Sequence, residues 1–127
     1  WQGTIPSPLA NAKVPVEANP RLDENEAWKR LVNTITIRFN YKLAPGTEQK
    51  SGYLLTEPRV EGFTQGPDTA RVTNIVTANL TSTEPVIYTV QVESRIDVRG
   101  ETRRYDRILR NGELELLTEL QASLTAE

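Results

Sequence analysis

The sequence predicts an α+β domain: an antiparallel sheet of three to four strands, an N-terminal and a C-terminal helix packed on one face, and an extended Pro-rich N-terminal arm. Three observations carry this. Residues 85–98 alternate, with Val86, Tyr88, Val90, Val92, Ile96 and Val98 on one face and Thr89, Gln91, Glu93, Arg95 and Asp97 on the other. Period-two alternation in β-branched and aromatic residues marks a strand with one buried and one wet face. Trp28, Leu31, Val32, Ile35 and Phe39 instead recur at helical spacing, as do Leu114, Leu117, Leu120, Gln121 and Leu124. Four of the eight prolines fall at 6, 8, 15 and 20, where neither period can be sustained.

Taken in order, residues 1–22 form the arm and 23–127 a single domain. The arm cannot bury enough of itself to order alone. It therefore lies either on its own sheet or on a partner, with Trp1, Ile5, Pro6, Pro8, Leu9, Val14, Pro15 and Val16 as the contacting residues. Asp23 accepts from the first amides of a helix and Glu26 stands three residues on, as in a capping box. This helix is expected from Glu24 to about residue 38. Because 35–43 also alternate, a strand is expected from about Tyr41. Pro45-Gly46 marks a turn. Residues 51–60 read as a short strand at an edge or ending at Pro58, which has no donor, and 62–69 as a loop.

Ala70 to Thr81 form the next strand, with Val72, Val76, Ala78 and Leu80 on one face and Asn74 interrupting it. The short link 82–85 makes an antiparallel hairpin with the opening strand. Residues 103–109 either extend the sheet or lead into the last helix, which Asn111 caps.

Composition narrows the chemistry. The chain of 127 residues has no His, Cys or Met and a net charge of −2. Imidazole bases, thiolate nucleophiles and nearly all zinc, copper and haem sites are therefore outside its repertoire. No apolar run approaches the roughly 18 residues of a membrane span. A chain numbered from Trp1 and lacking Met is expected to derive from a longer precursor, by export processing or by a later starting point.

Arg95, Arg99, Arg103, Arg104, Arg107 and Arg110 face only Asp97, Glu101 and Asp106 between 95 and 110. They read either as a cationic patch for lipid headgroups, phosphate or an acidic partner, or as a solvated face balanced by Glu113, Glu115 and Glu119. Few aromatics interleave with them, and nucleic acid is not expected as a partner. Asp23, Glu24 and Glu26 are explained by the helix start rather than as a carboxylate pair for hydrolysis. Asn79-Leu80-Thr81 is a glycosylation triplet placed inside a strand, where chance explains it better. No catalytic residue, metal site or cofactor is expected.

The segments Glu26-Ala-Trp-Lys-Arg-Leu-Val32 and Lys50-Ser-Gly-Tyr-Leu-Leu-Thr-Glu57 resemble a unit of bacterial envelope lipoproteins of the helix-grip (BamC-like) type. In those proteins an aromatic-bearing helix precedes a Ser/Thr-Gly-Tyr/Leu strand, followed by a meander and a closing helix. The resemblance covers the layout of about residues 24–124 and implies a non-enzymatic accessory or scaffolding subunit of a cell-envelope, membrane-associated complex. Docking would run through the N-terminal arm, in a periplasmic setting. The lipobox Cys of such lipoproteins has no counterpart here. The alternative is a carrier of a small hydrophobic ligand, with Trp28, Phe39, Tyr53 and Tyr88 lining a cavity between sheet and helix.

Overall fold

A computed structural model describes residues 3–5, 13–65, 68–99 and 115–126. The α+β class is as expected. Strand β1 (Gly3–Ile5) and strand β2 (Val14–Glu17) precede helix α1 (Glu24–Asn33), which runs on as a π-helical turn, Thr34–Arg38. Then come β3 (Tyr53–Leu55), β4 (Arg59–Gln65), β5 (Asp68–Thr83), β6 (Val86–Arg99) and a second helix, α2, over 115–125.

β5 and β6 form one long antiparallel hairpin, in register from Thr69 opposite Arg99 to Thr83 opposite Val86, with an irregularity between Leu80 and Ser82. Both outer edges are built from two short pieces. β1 and β2 lie end to end along β6, opposite 96–98 and 87–90. β3 and β4 do the same along β5, opposite 77–79 and 68–74. The sheet thus has six strand segments in four lanes, where three to four strands were expected. Pro58 separates β3 from β4, because it has no N–H to offer a ladder.

Helix α1 begins as its sequence dictates. Asp23 Oδ1 accepts from the Glu26 amide at 2.7 Å, satisfying one of the four unpaired first-turn donors. Ala27, Trp28 and Leu31 are buried, as is Ile35 in the π turn, and Val32 and Phe39 pack at the margin. The widened turn has a local cause. Thr34 and Thr36 hydroxyls donate back to the carbonyls of Arg30 and Val32, both at 2.8 Å. The Arg30 carbonyl accepts the Thr34 amide as well, and such back-bonding by threonine bends a helix. The Phe39 amide then bonds to the Thr34 carbonyl at 3.2 Å, the longer reach of a π turn, and the Tyr41 amide closes a still wider turn onto Ile35 at 3.1 Å.

Both helices cover the face bearing Val76, Ala78, Val86, Tyr88, Val90 and Val92. Leu120 and Leu124 are fully buried, and each such side chain contributes about 1.5–3 kcal/mol. Of the stripe expected on α2, Leu120 and Leu124 are in the core and Leu117 packs at its margin, but Gln121 is on the surface and Leu116 is 2% exposed, since spacings of four carry Leu116, Leu120 and Leu124 down one side. Leu114 and the expected Asn111 cap lie outside the described residues. The C-terminal carbonyls of α2, lacking helical partners, accept from its neighbours. Arg30 Nη1 donates to Ser123 and Ala126, and the Asn19 amide to Leu124 at 2.9 Å.

Several expectations change. No strand starts at Tyr41: residues 39–52 form a loop with isolated bridges Leu43–Thr56 and Glu48–Tyr53, because Asn40 takes φ 62° and turns the chain away. The loop expected over 62–69 is sheet up to Gln65 and again from Asp68. Asp97, expected on the wet face, is 5% exposed. It lies 3.2 Å from Arg95 and 3.6 Å from Arg71, and Arg71 is its register partner across the hairpin.

Three positions of the Lys50–Glu57 segment, Gly52, Leu54 and Thr56, have a structural explanation. Gly52 takes φ +67°, and a Cβ there would overlap the Leu80 side chain. Leu54 is fully buried. Thr56 is buried, donates its amide to Val76 at 3.0 Å and accepts the Val76 amide on Oγ1 at 2.9 Å. The hydroxyl thereby extends the ladder beyond β3.

Two tests follow from this packing. Gly52→Ala is expected to lower unfolding stability by about 2–4 kcal/mol, from left-handed strain plus overpacking, measured by urea denaturation; an unchanged midpoint contradicts the close approach. Burial, with Glu24's charge adding, pushes the Tyr88 phenol up to about 12, against about 10 in an unfolded chain. Stability from this group is full below pH 10 and lost as pH rises through 12, about 2–3 kcal/mol in all. Tyr88→Phe should flatten that part of the stability profile; parallel profiles would contradict it.

Candidate functional site

The apolar face of the sheet is broken by one cross-strand row. Register places Arg59 of β4 opposite Asn74 of β5, and Asn74 opposite Ser94 of β6. On one side of this row stand Val76 and Val92, on the other Val72. All three row residues share the face that the helices cover, because their register neighbours two residues away do. Asn74 Oδ1 and Ser94 Oγ are buried without a hydrogen-bond partner. Such groups each cost about 1–3 kcal/mol and are uncommon in folded proteins.

Above the row is a cavity of about 320 Å³. The chain leaving the π turn supplies one wall, through Arg38, Phe39, Asn40 and Tyr41. Arg59 and Glu61 supply the β4 wall, Asn74 and Val92 the floor, and Glu115 and Leu116 of α2 the far side. The wall at Arg38–Tyr41 exists because of two departures from regular backbone: the π turn, and Asn40 in the left-handed region. Asn is among the residues that tolerate that region, and π turns recur at functional sites.

The charged groups are loosely held. Arg38 Nη2 is 3.6 Å from Glu119 and Arg59 Nη1 is 3.5 Å from Glu61, with 60% and 32% of the arginine side chains exposed. Exposed pairs of this length contribute little. Arg59 also lies over the Tyr41 ring, 5.5 Å from its centroid, which orients the guanidinium. A second depression, between 17–20 and α2, differs in that its polar groups are already bonded: Asn19 Nδ2 donates to Thr125 O at 3.2 Å and Gln121 Nε2 to Glu17 O at 3.0 Å.

The residues named from sequence fall elsewhere. Val16, expected to meet a partner, is 1% exposed within the core, since β2 sets it opposite Tyr88. Val14 is half-buried and Pro15 exposed in the same strand, and Ile5 sits opposite Ile96. Trp1, Pro6, Pro8 and Leu9 lie outside the described residues. Of the cationic patch, Arg95 is 67% exposed and donates to Asp97, and Arg99 pairs with Thr69 in the hairpin. Arg103, Arg104, Arg107 and Arg110 lie outside the described residues. Of the residues expected to line an aromatic cavity, Trp28 and Tyr88 pack against each other with tilted rings, centroids 6.3 Å apart. Only Phe39 of that group lines the cavity. Among the described residues no three acidic side chains converge as a metal site would require. No described helix is long and apolar enough to cross a membrane.

No protein-family model matches the chain, and no curated protein does. Among solved structures it is similar to an uncharacterized protein from Rhizobium leguminosarum, at 13% identity and a TM-score of 0.42, over 96% of each chain.

Proposed function

We propose that this chain is a non-enzymatic binding domain that holds a small polar ligand in the cavity between the end of α1 and strands β4–β6. The observation that carries this is Asn74 in the cavity floor, a polar side chain among apolar neighbours whose buried Oδ1 has no partner. A core optimised only for stability would place an apolar residue between Val72 and Val76. Retaining an unsatisfied acceptor there is intelligible if a ligand donor, or water that the ligand displaces, completes it. This modifies the hydrophobic-carrier expectation: the cavity lies beyond the Trp28–Tyr88 contact and its floor is polar.

Asn74→Leu is the direct test, read as thermal and urea stability with and without ligands from a fragment screen. The variant is expected to be more stable by about 1–2 kcal/mol, having lost an uncompensated polar group, and to lose all ligand-induced stabilisation. A destabilised variant, or one that keeps its ligand response, contradicts the reading.

A second reading, favoured by a different observation, is the accessory subunit of a bacterial cell-envelope, membrane-associated complex. Val60 is 58% exposed, and alternation along β4 directs it to the face opposite the helices. That face offers a protein partner a surface whether or not the cavity is filled. A photo-crosslinking residue at position 60, expressed in bacterial envelope, should give one discrete protein adduct; diffuse or absent adducts count against docking there.

A further inference from the structure

We propose that the ligand is a free α-amino acid with an apolar side chain, or an amino carboxylate of the same size; this rests on the cavity being a binding site. The charges around it point to a zwitterion. Arg38 and Arg59 line the cavity together with Glu61 and Glu115, so the two signs are balanced. A simple anion would meet the two glutamates, and a simple cation the two arginines. A molecule carrying both charges can pair with both kinds of side chain.

Asn74 sharpens this assignment. Its Oδ1 is buried without a donor and meets a ligand only when the side chain turns toward the cavity it lines; an ammonium group, with three donors and no acceptor, rewards that turn. The carboxylate end then belongs to the arginines, whose planar guanidinium groups bind carboxylates through paired N–H donors. Arg59 is available for this exchange, because its pair with Glu61 is long, 3.5 Å, and open to solvent on the glutamate side, and such pairs contribute little. Val92 and Leu116 supply apolar wall, and about 320 Å³ suits a side chain of leucine size better than a polymer or a large cofactor.

The test is calorimetric titration of the full chain with three probes of matched shape: L-leucine, 4-methylpentanoate, which lacks the amine, and 3-methylbutan-1-amine, which lacks the carboxylate. L-leucine is expected to bind at least about tenfold more tightly than either, as one lost charge-assisted hydrogen bond implies. Arg59→Gln should erase its advantage over the amine, and Asn74→Leu its advantage over the carboxylate, both variants being checked for folding by circular dichroism. If either truncated probe binds as tightly as L-leucine, the zwitterion assignment is overturned while the cavity remains a binding site. If none of the three binds and the fragment screen also finds nothing, both readings fall.

Discussion

The polar row Arg59–Asn74–Ser94 is the constraint on which the arrangement of this domain depends. It crosses three adjacent strands on the face that elsewhere carries valine, alanine and tyrosine. Hydrophobic burial drives the helices onto the sheet, and where the row is covered Asn74 Oδ1 and Ser94 Oγ are left unsatisfied, at a cost that an apolar row would not carry. The core accordingly runs from Val86 and Val16 at one end to Val76 and Val92, and a cavity opens where the row begins. Ala70 and Val72 are buried beyond it, outside the main cluster.

Backbone irregularity serves the same division. A regular α-helix through residue 41 would keep Phe39 and Tyr41 on the helical path. The threonine-driven π turn and the left-handed Asn40 instead bring Tyr41 to 6% exposure, where Arg59 stacks on it. Local sequence, in the form of hydroxyls at 34 and 36, thus decides the shape of a site whose other wall comes from a strand twenty residues later. Long-range contacts then hold the helix layer in place. Arg30 reaches the end of α2, and Arg38 faces Glu119 near its middle.

What could be read from sequence was what depends on neighbours along the chain. The Asp23 cap, the Trp28–Leu31–Ile35 stripe and the alternation of β6 all have periods or partners within a few residues. Asn74 was visible as an interruption of an apolar face, which was the one available signal of the site. Its meaning was not visible, because it comes from register: only the hairpin's alignment sets Ser94 opposite it, and only the β4 pairing adds Arg59. That the arm lies on its own sheet was one of the two readings open, but which of its residues pair, Val14–Glu17, was hidden for a similar reason. Pro15 argues against a strand locally, yet an outer lane tolerates a residue without a donor, and the pairing partners, Ile87 to Val90, lie far along the chain. Asp97 could not be placed inside without knowing that Arg71 lies across the ladder.

The central claim is that the buried polar row is left incomplete by the protein itself. A high-resolution crystal structure of the free chain, followed by soaking with L-leucine, tests it most directly. The account predicts ordered water within hydrogen-bond distance of Asn74 Oδ1 in the free crystal, replaced by the amine after soaking. A closed cavity in which Asn74 and Ser94 are both bonded to protein groups would contradict it.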